Sequence, residues 1–98
     1  MMTFVEKLAV KLSLGAASAT GAFLNARGHR EPTLAERDEI ARETARLILE
    51  LVTAEGPTES SSIEVFDSLI ERSVVAGIAT AARVLNLGGV NDPPRARA

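Results

Sequence analysis

The chain carries three sets of helix start and stop signals, which constrain its fold more than any other feature. Each start is a hydroxyl residue followed three positions later by Glu, the pattern of a capping box, in which both side chains bond free amides at a helix start. Each stop contains a glycine, which can close a helix in the left-handed conformation. The starts are Thr3 with Glu6, Thr33 with Glu36 and Ser61 with Glu64, and the stops are Gly28, Gly56 with Pro57, and Gly88 with Gly89.

These signals predict an all-α fold of three long helices, at about 4–27, 34–55 and 62–87. The connecting segments are short and polar, which favours an antiparallel bundle or hairpin. A chain of 98 residues has the size of one domain. We therefore predict a single helical domain over residues 1–90, followed by a flexible tail rich in proline and arginine over residues 91–98.

The outer two predicted helices lack the wholly polar face that a surface helix normally presents to water. The third becomes apolar or small on all sides between Ser73 and Ala82. A helix of this kind must be covered on more than one side. Three helices in one chain cannot supply all of that cover, so we expect self-association or a constant partner to complete the bundle.

The segment GAASATGAF, from Gly15 to Phe23, holds one large side chain although it lies within the first predicted helix. Small residues four positions apart form a flat groove into which another helix can settle at short distance. The glycines favour this interpretation, because each costs about 1 kcal/mol in a helix interior. The residues predicted to form helix-packing contacts are Val10, Leu12, Leu14, Gly15, Ala17, Ala19, Gly21 and Phe23 on the first helix, and Ser73, Gly77 and Ala81 on the third.

Composition and motifs argue against several classes of function. A net charge of −2 without a basic stripe argues against nucleic-acid binding. The sequence has no Cys to form a disulfide or a thiolate metal site. Its one histidine, His29, lies in a predicted connector, and no Glu-x-x-His pair or nucleophile–base spacing is present. We therefore expect no enzyme activity, with no catalytic residue, metal, cofactor or small-molecule substrate.

The first predicted helix also has features of a targeting or membrane segment. Lys7 and Lys11 precede a weakly apolar run that includes the cleavage-like residues 17–19, but Glu6 lies in the region that should be positive. The uncharged stretch over 12–26 falls short of the roughly 20 apolar residues that span a bilayer. Secretion and membrane spanning are not favoured, and we expect a location in the cytoplasm or within a macromolecular assembly.

Taken together, these features favour protein contact over chemistry. The predicted function is a non-enzymatic helical interaction module, acting as a homo-oligomeric structural, assembly or adaptor component, by analogy with virus-like or secretion assemblies. The expected partner is a second copy of the chain, with another protein as a further candidate. One alternative is a membrane-active or membrane-surface protein that uses the first helix. The other is a small regulatory protein that binds a protein partner.

Overall fold

The computed structural model describes residues 1–87, which form three α-helices joined by short connectors. Helix α1 spans Phe4–Ala26, α2 spans Leu34–Glu55 and α3 spans Ile63–Val84. Every helix packs against both of the others. The predicted all-α class and three-helix arrangement are therefore confirmed for this part of the chain, and completion of the bundle by oligomerisation stays a prediction.

The first two helices begin at capping boxes, as predicted. The Thr3 hydroxyl accepts from the Glu6 amide at 3.1 Å, and the Glu6 carboxylate accepts from the Thr3 amide at 2.9 Å. Thr33 and Glu36 make the same two bonds at the same distances. Each pair satisfies two amides that a helix start otherwise leaves without partners.

The third helix begins one residue later than predicted, and the capping box of Ser61 with Glu64 is wrong. The N-cap is Ser62, whose hydroxyl accepts from the Val65 amide at 3.4 Å. The Ser61 hydroxyl instead accepts from the Thr58 amide at 2.9 Å, within the turn before the helix. Because a valine occupies the third helical position, no carboxylate can reach back to the cap.

Helix α3 ends at Val84, three residues before the predicted end. The cause is Asn86, which adopts the left-handed conformation with a φ of 57°. The Leu87 amide donates to the Ala82 carbonyl at 2.8 Å, and the Asn86 amide donates to the Arg83 carbonyl at 3.2 Å. These two bonds form a Schellman motif, in which asparagine takes the place usually held by glycine.

The first two helices close at glycines, as predicted. Gly28 has a φ of 69° and Gly56 a φ of 63°, a region that glycine enters without the steric cost of a side chain. The predicted stop at Gly88 with Gly89 lies outside the described residues, as does the predicted tail over 91–98.

The core consists of two apolar clusters placed one after the other along the bundle. The first contains Ala9, Leu12, Ala16, Ile48, Val52 and Leu69, and the second contains Leu24, Ala81 and Leu85, with Ile40 packed against it. Residues 9–16 of α1 thus lie at the level of residues 48–52 of α2, and Leu24 lies near Ile40. Helices α1 and α2 therefore run antiparallel.

Small or hydroxyl-bearing residues separate the two clusters on every helix. They are Thr20 on α1, Thr44 on α2, and Ser73 and Gly77 on α3, and all of them are buried. Such side chains cannot fill as much space as the leucines and isoleucines on either side. At this level two helices must either approach closely or leave a gap between them. Helices α1 and α3 approach closely, whereas α1 and α2 leave a groove.

Candidate interaction site

The close approach lies between α1 and α3, around Gly77. A Cβ atom placed on this glycine would lie 2.7 Å from the Thr20 hydroxyl oxygen and 3.3 Å from the Ala16 Cβ. These distances leave no room for a side chain. Ser73 and Ala81, four residues to either side, are also buried. The stripe predicted on the third helix is thus used within the chain.

The α1 side of this contact does not include Gly15, and the helix-packing role predicted for Gly15 and Ala19 stays a prediction. Gly15 is exposed, with nothing within 4 Å of a Cβ placed on it, and Ala19 is half-buried. Ala16 and Thr20 face Gly77 instead. They follow the buried Leu12 at the same four-residue spacing, which is the signal that could have identified them. Phe23 is half-buried and packs against the second cluster.

The remaining predicted residues of α1 form a stripe on its exposed side. Val10 is 48% exposed and Leu14 is 68% exposed. Ala17 and Gly21 are exposed as well, and nothing lies within 4 Å of a Cβ placed on Gly21. The described residues therefore leave this stripe uncovered, so it is available for contact with another molecule.

A groove of about 710 Å³ opens between α1 and α2 beside this stripe. Its walls include Leu14, Ala17 and Gly21 from α1 and Ile40, Ala41 and Ala45 from α2. Four of the residues that face each other across the groove, Ala17 and Gly21 on α1 and Ala41 and Ala45 on α2, have a methyl group or no side chain, which leaves space between the two helices. We call it the α1/α2 groove. A smaller groove of about 380 Å³, lined in part by Gly15, lies between α1 and α3.

Charged side chains from the α1–α2 connector and the first turn of α2 lie at one end of the α1/α2 groove, where Arg30, Glu31 and Arg37 line it. Arg30 donates two hydrogen bonds of 3.0 Å to the carboxylate of Glu36. These bonds are the main reason that the pKa of Glu36 falls to about 2. Arg37 donates a longer bond of 3.4 Å to Glu31, and both of these side chains are exposed. Two pairs of oppositely charged side chains thus give the α1/α2 groove a polar rim at this end.

The single histidine of the sequence lies at the α1/α2 groove. His29 lines it, and its Nδ1 lies 2.8 Å from the Arg30 carbonyl oxygen. Over residues 1–87, no three His, Asp or Glu side chains are grouped to hold a metal ion.

In the same range, none of the helices combines the length and apolar character needed to cross a membrane. Comparisons with protein-family models, curated proteins and solved structures find no match.

Three buried hydroxyl groups between the two core clusters have no hydrogen-bond partner among residues 1–87. They belong to Thr20, Thr44 and Ser73. A buried polar group without a partner costs about 1–3 kcal/mol. Thr20 and Thr44 also lie along the α1/α2 groove. The buried hydroxyl groups in the middle of the bundle therefore lower the free energy of unfolding.

Replacing Thr44 by valine is expected to raise the free energy of unfolding by about 1 kcal/mol. Valine keeps the shape of threonine and removes the hydroxyl, so the desolvation cost disappears. The control is Thr53→Val, because Thr53 is exposed on the same helix and surface changes stay within about 0.5 kcal/mol. Urea denaturation followed by circular dichroism measures both. A loss of stability specific to Thr44→Val would show that this hydroxyl is bonded.

Proposed function

We propose that the protein is a non-enzymatic helical interaction module that assembles with copies of itself. The observation that carries this proposal is the exposure of large apolar side chains on all three helices. They are Val10 and Leu14 on α1, Leu34 and Leu49 on α2, and Ile63, Ile70 and Val75 on α3. Transfer of apolar surface out of water is favourable by about 25 cal/mol per Å², and part of this gain offsets the entropy that two molecules lose when they associate. A surface of this kind favours burial against another protein.

The α1/α2 groove concentrates this tendency at one place. Leu14 is the most exposed of the large apolar residues of α1. It lies beside the alanine and glycine residues that line the groove. Concave apolar surfaces with a polar rim are typical of interaction sites. In this role the protein would act as a structural, assembly or adaptor component, with its partner defined by helix packing.

Light scattering in detergent-free buffer tests the proposed function. The expected result is a discrete species whose mass is a small multiple of the 10.3 kDa chain. A mass equal to one chain at tens of micromolar would contradict self-assembly. Aggregation that lipid vesicles disperse would instead support a membrane-surface protein, since the apolar side chains would then be covered by lipid.

A further inference from the structure

We infer that a second copy of the chain docks on the side of the bundle formed by α1 and α2, antiparallel to the first about a two-fold axis. This inference rests on the proposed function and specifies its interface. The α1/α2 face consists of Val10, Leu14, Ala17 and Gly21 on α1 and Ala41, Ala45 and Leu49 on α2. Leu49 belongs to it because residues four apart share one side of a helix, and Ala45 lines the α1/α2 groove.

Large and small side chains lie at opposite ends of the α1/α2 face. Val10, Leu14 and Leu49 form a ridge of exposed side chains at one end. The hollow is the part of the groove beyond Leu14, where the small residues Ala17, Gly21, Ala41 and Ala45 lie among its walls together with larger ones such as Leu24 and Ile40. Leu49 lies between Ile48 and Val52, which share the first core cluster with Ala9, Leu12 and Ala16, so it is at the level of Val10 and Leu14 on α1.

This distribution makes the α1/α2 face complementary to itself. The midpoint between ridge and hollow lies close to Ala17. A half-turn about an axis through this level, perpendicular to the helices, places the ridge of each copy over the hollow of the other. The result is an isologous interface, in which both copies use the same surface. A cavity of about 150 Å³ holds a benzene molecule, so the groove of about 710 Å³ has room for the ridge side chains.

Charges at the two ends of the α1/α2 face match in the same arrangement. Glu6 lies seven residues before Ser13, a groove residue, and Arg37 lines the groove at the opposite end. Both lie about 16 Å from the midpoint, at 1.5 Å per residue. The half-turn therefore brings Arg37 of each copy to the level of Glu6 of the other. The bond from Arg37 to Glu31 is long and exposed, so exchanging it for an intermolecular bond costs little.

The α1/α2 face is close in size to the surface that each partner buries in a stable dimer. Helix α1 has 23 residues, which gives a length of about 34 Å. Two adjacent helices are about 20 Å wide, so the face covers about 700 Å². Stable complexes of standard size bury about 800 Å² on each partner. The two-helix face of this chain has that scale.

A matched pair of glycine variants tests the position of the interface. Gly21 and Gly15 are both exposed on α1, and a Cβ placed on either meets nothing within 4 Å. Gly21→Leu fills the hollow and is expected to reduce the mass in light scattering from two chains to one. Gly15→Leu, outside the α1/α2 face, is expected to leave the dimer mass unchanged. Circular dichroism checks that both variants remain helical.

The remaining outcomes separate this inference from the proposed function. If the wild type is a dimer and Gly21→Leu leaves it intact, the interface lies elsewhere, and the proposed function stands without this surface. If Gly15→Leu dissociates the dimer equally, the α1/α2 face is not the specific contact, and the inference fails. A monomeric wild type would overturn both.

Cysteine variants test the antiparallel orientation, since the chain contains no Cys of its own. A cysteine at Ala17 lies near the two-fold axis, so Ala17→Cys is expected to form a disulfide-linked dimer under mild oxidation. Leu34→Cys places its two thiols at opposite ends of the dimer, far beyond the roughly 4.4–6.8 Å between Cα atoms that a disulfide allows. It is expected to stay unlinked on a non-reducing gel. Efficient linkage through residue 34 without linkage through residue 17 would overturn the antiparallel arrangement.

Discussion

Replacing Gly77 by leucine is expected to lower the free energy of unfolding by about 1–3 kcal/mol or more. The new Cβ alone would lie 2.7 Å from the Thr20 hydroxyl oxygen and 3.4 Å from the Ala16 carbonyl oxygen. The Thr20 hydroxyl can turn aside, but the atoms of leucine beyond Cβ would still meet Ala16, whose Cβ and carbonyl oxygen already lie at contact distance. Helices α1 and α3 must therefore move apart, and overpacking of this kind carries the stated cost. Helix propensity predicts the opposite sign, because leucine is a better helix former than glycine. Urea denaturation followed by circular dichroism measures whether the free energy of unfolding falls or rises.

Gly15→Leu is the control for this effect, since nothing in the structure obstructs a side chain at Gly15. Propensity acts there without overpacking, so the variant is expected to gain several tenths of a kcal/mol. A double-mutant cycle with Thr20→Ala locates the strain: the cost of Gly77→Leu should fall when the hydroxyl is removed. If Gly77→Leu stabilised the protein as Gly15→Leu does, the close approach of α1 to α3 would be refuted.

Helix boundaries could be predicted where their signals are local and unambiguous. The starts at Thr3 and Thr33 depend only on side chains three residues apart, so the sequence contains all the necessary information. At the start of α3, Ser61 and Ser62 both offer a capping hydroxyl, and the preceding turn engages the first of them. The end of α3 was missed because asparagine is a weaker stop signal than glycine, although Asn86 performs the same role.

The rotation of α1 in the bundle could not be read from its small residues. Two stripes of small side chains at four-residue spacing are present, Gly15 with Ala19 and Ala16 with Thr20. The second is shifted by one residue along the helix and therefore lies on a different side of it. Small residues bury little apolar area, so they do not decide which side of a helix turns inward. Leu12 and Leu24 do decide it, because both are buried in the core clusters. Ala16 and Thr20 lie between them on the same side.

The α1/α2 groove likewise depends on information that a single helix does not carry. Ala17 and Gly21 on α1 and Ala41 and Ala45 on α2 are each unremarkable in a helix. They produce a groove only because the antiparallel register places them side by side. That register is set by pairs such as Leu24 with Ile40 in the core. The sequence indicated that the first helix lacks a wholly polar face, whereas the α2 residues that lie beside its exposed stripe could be identified only from the structure.

Replacing Ile48 by alanine is expected to lower the free energy of unfolding by about 2–5 kcal/mol. Ile48 is fully buried in the first core cluster, and truncation removes its burial and leaves a cavity. Domains of this size have a total stability of about 5–15 kcal/mol, so the variant is expected to unfold at a much lower urea concentration than the wild type.

The adjacent residue provides the control and separates folding from assembly. Leu49 is 43% exposed and belongs to the ridge of the α1/α2 face, so Leu49→Ala is expected to change the stability of the single chain by about 0.5 kcal/mol or less. Its effect should appear in the dimer mass, which is expected to fall at low protein concentration because each copy loses a ridge side chain. Ile48→Ala should keep the dimer mass under conditions where it remains folded. If Leu49→Ala cost as much folding stability as Ile48→Ala and left the mass unchanged, the outward side of α2 would belong to the core, and the separation of core from assembly surface would be wrong.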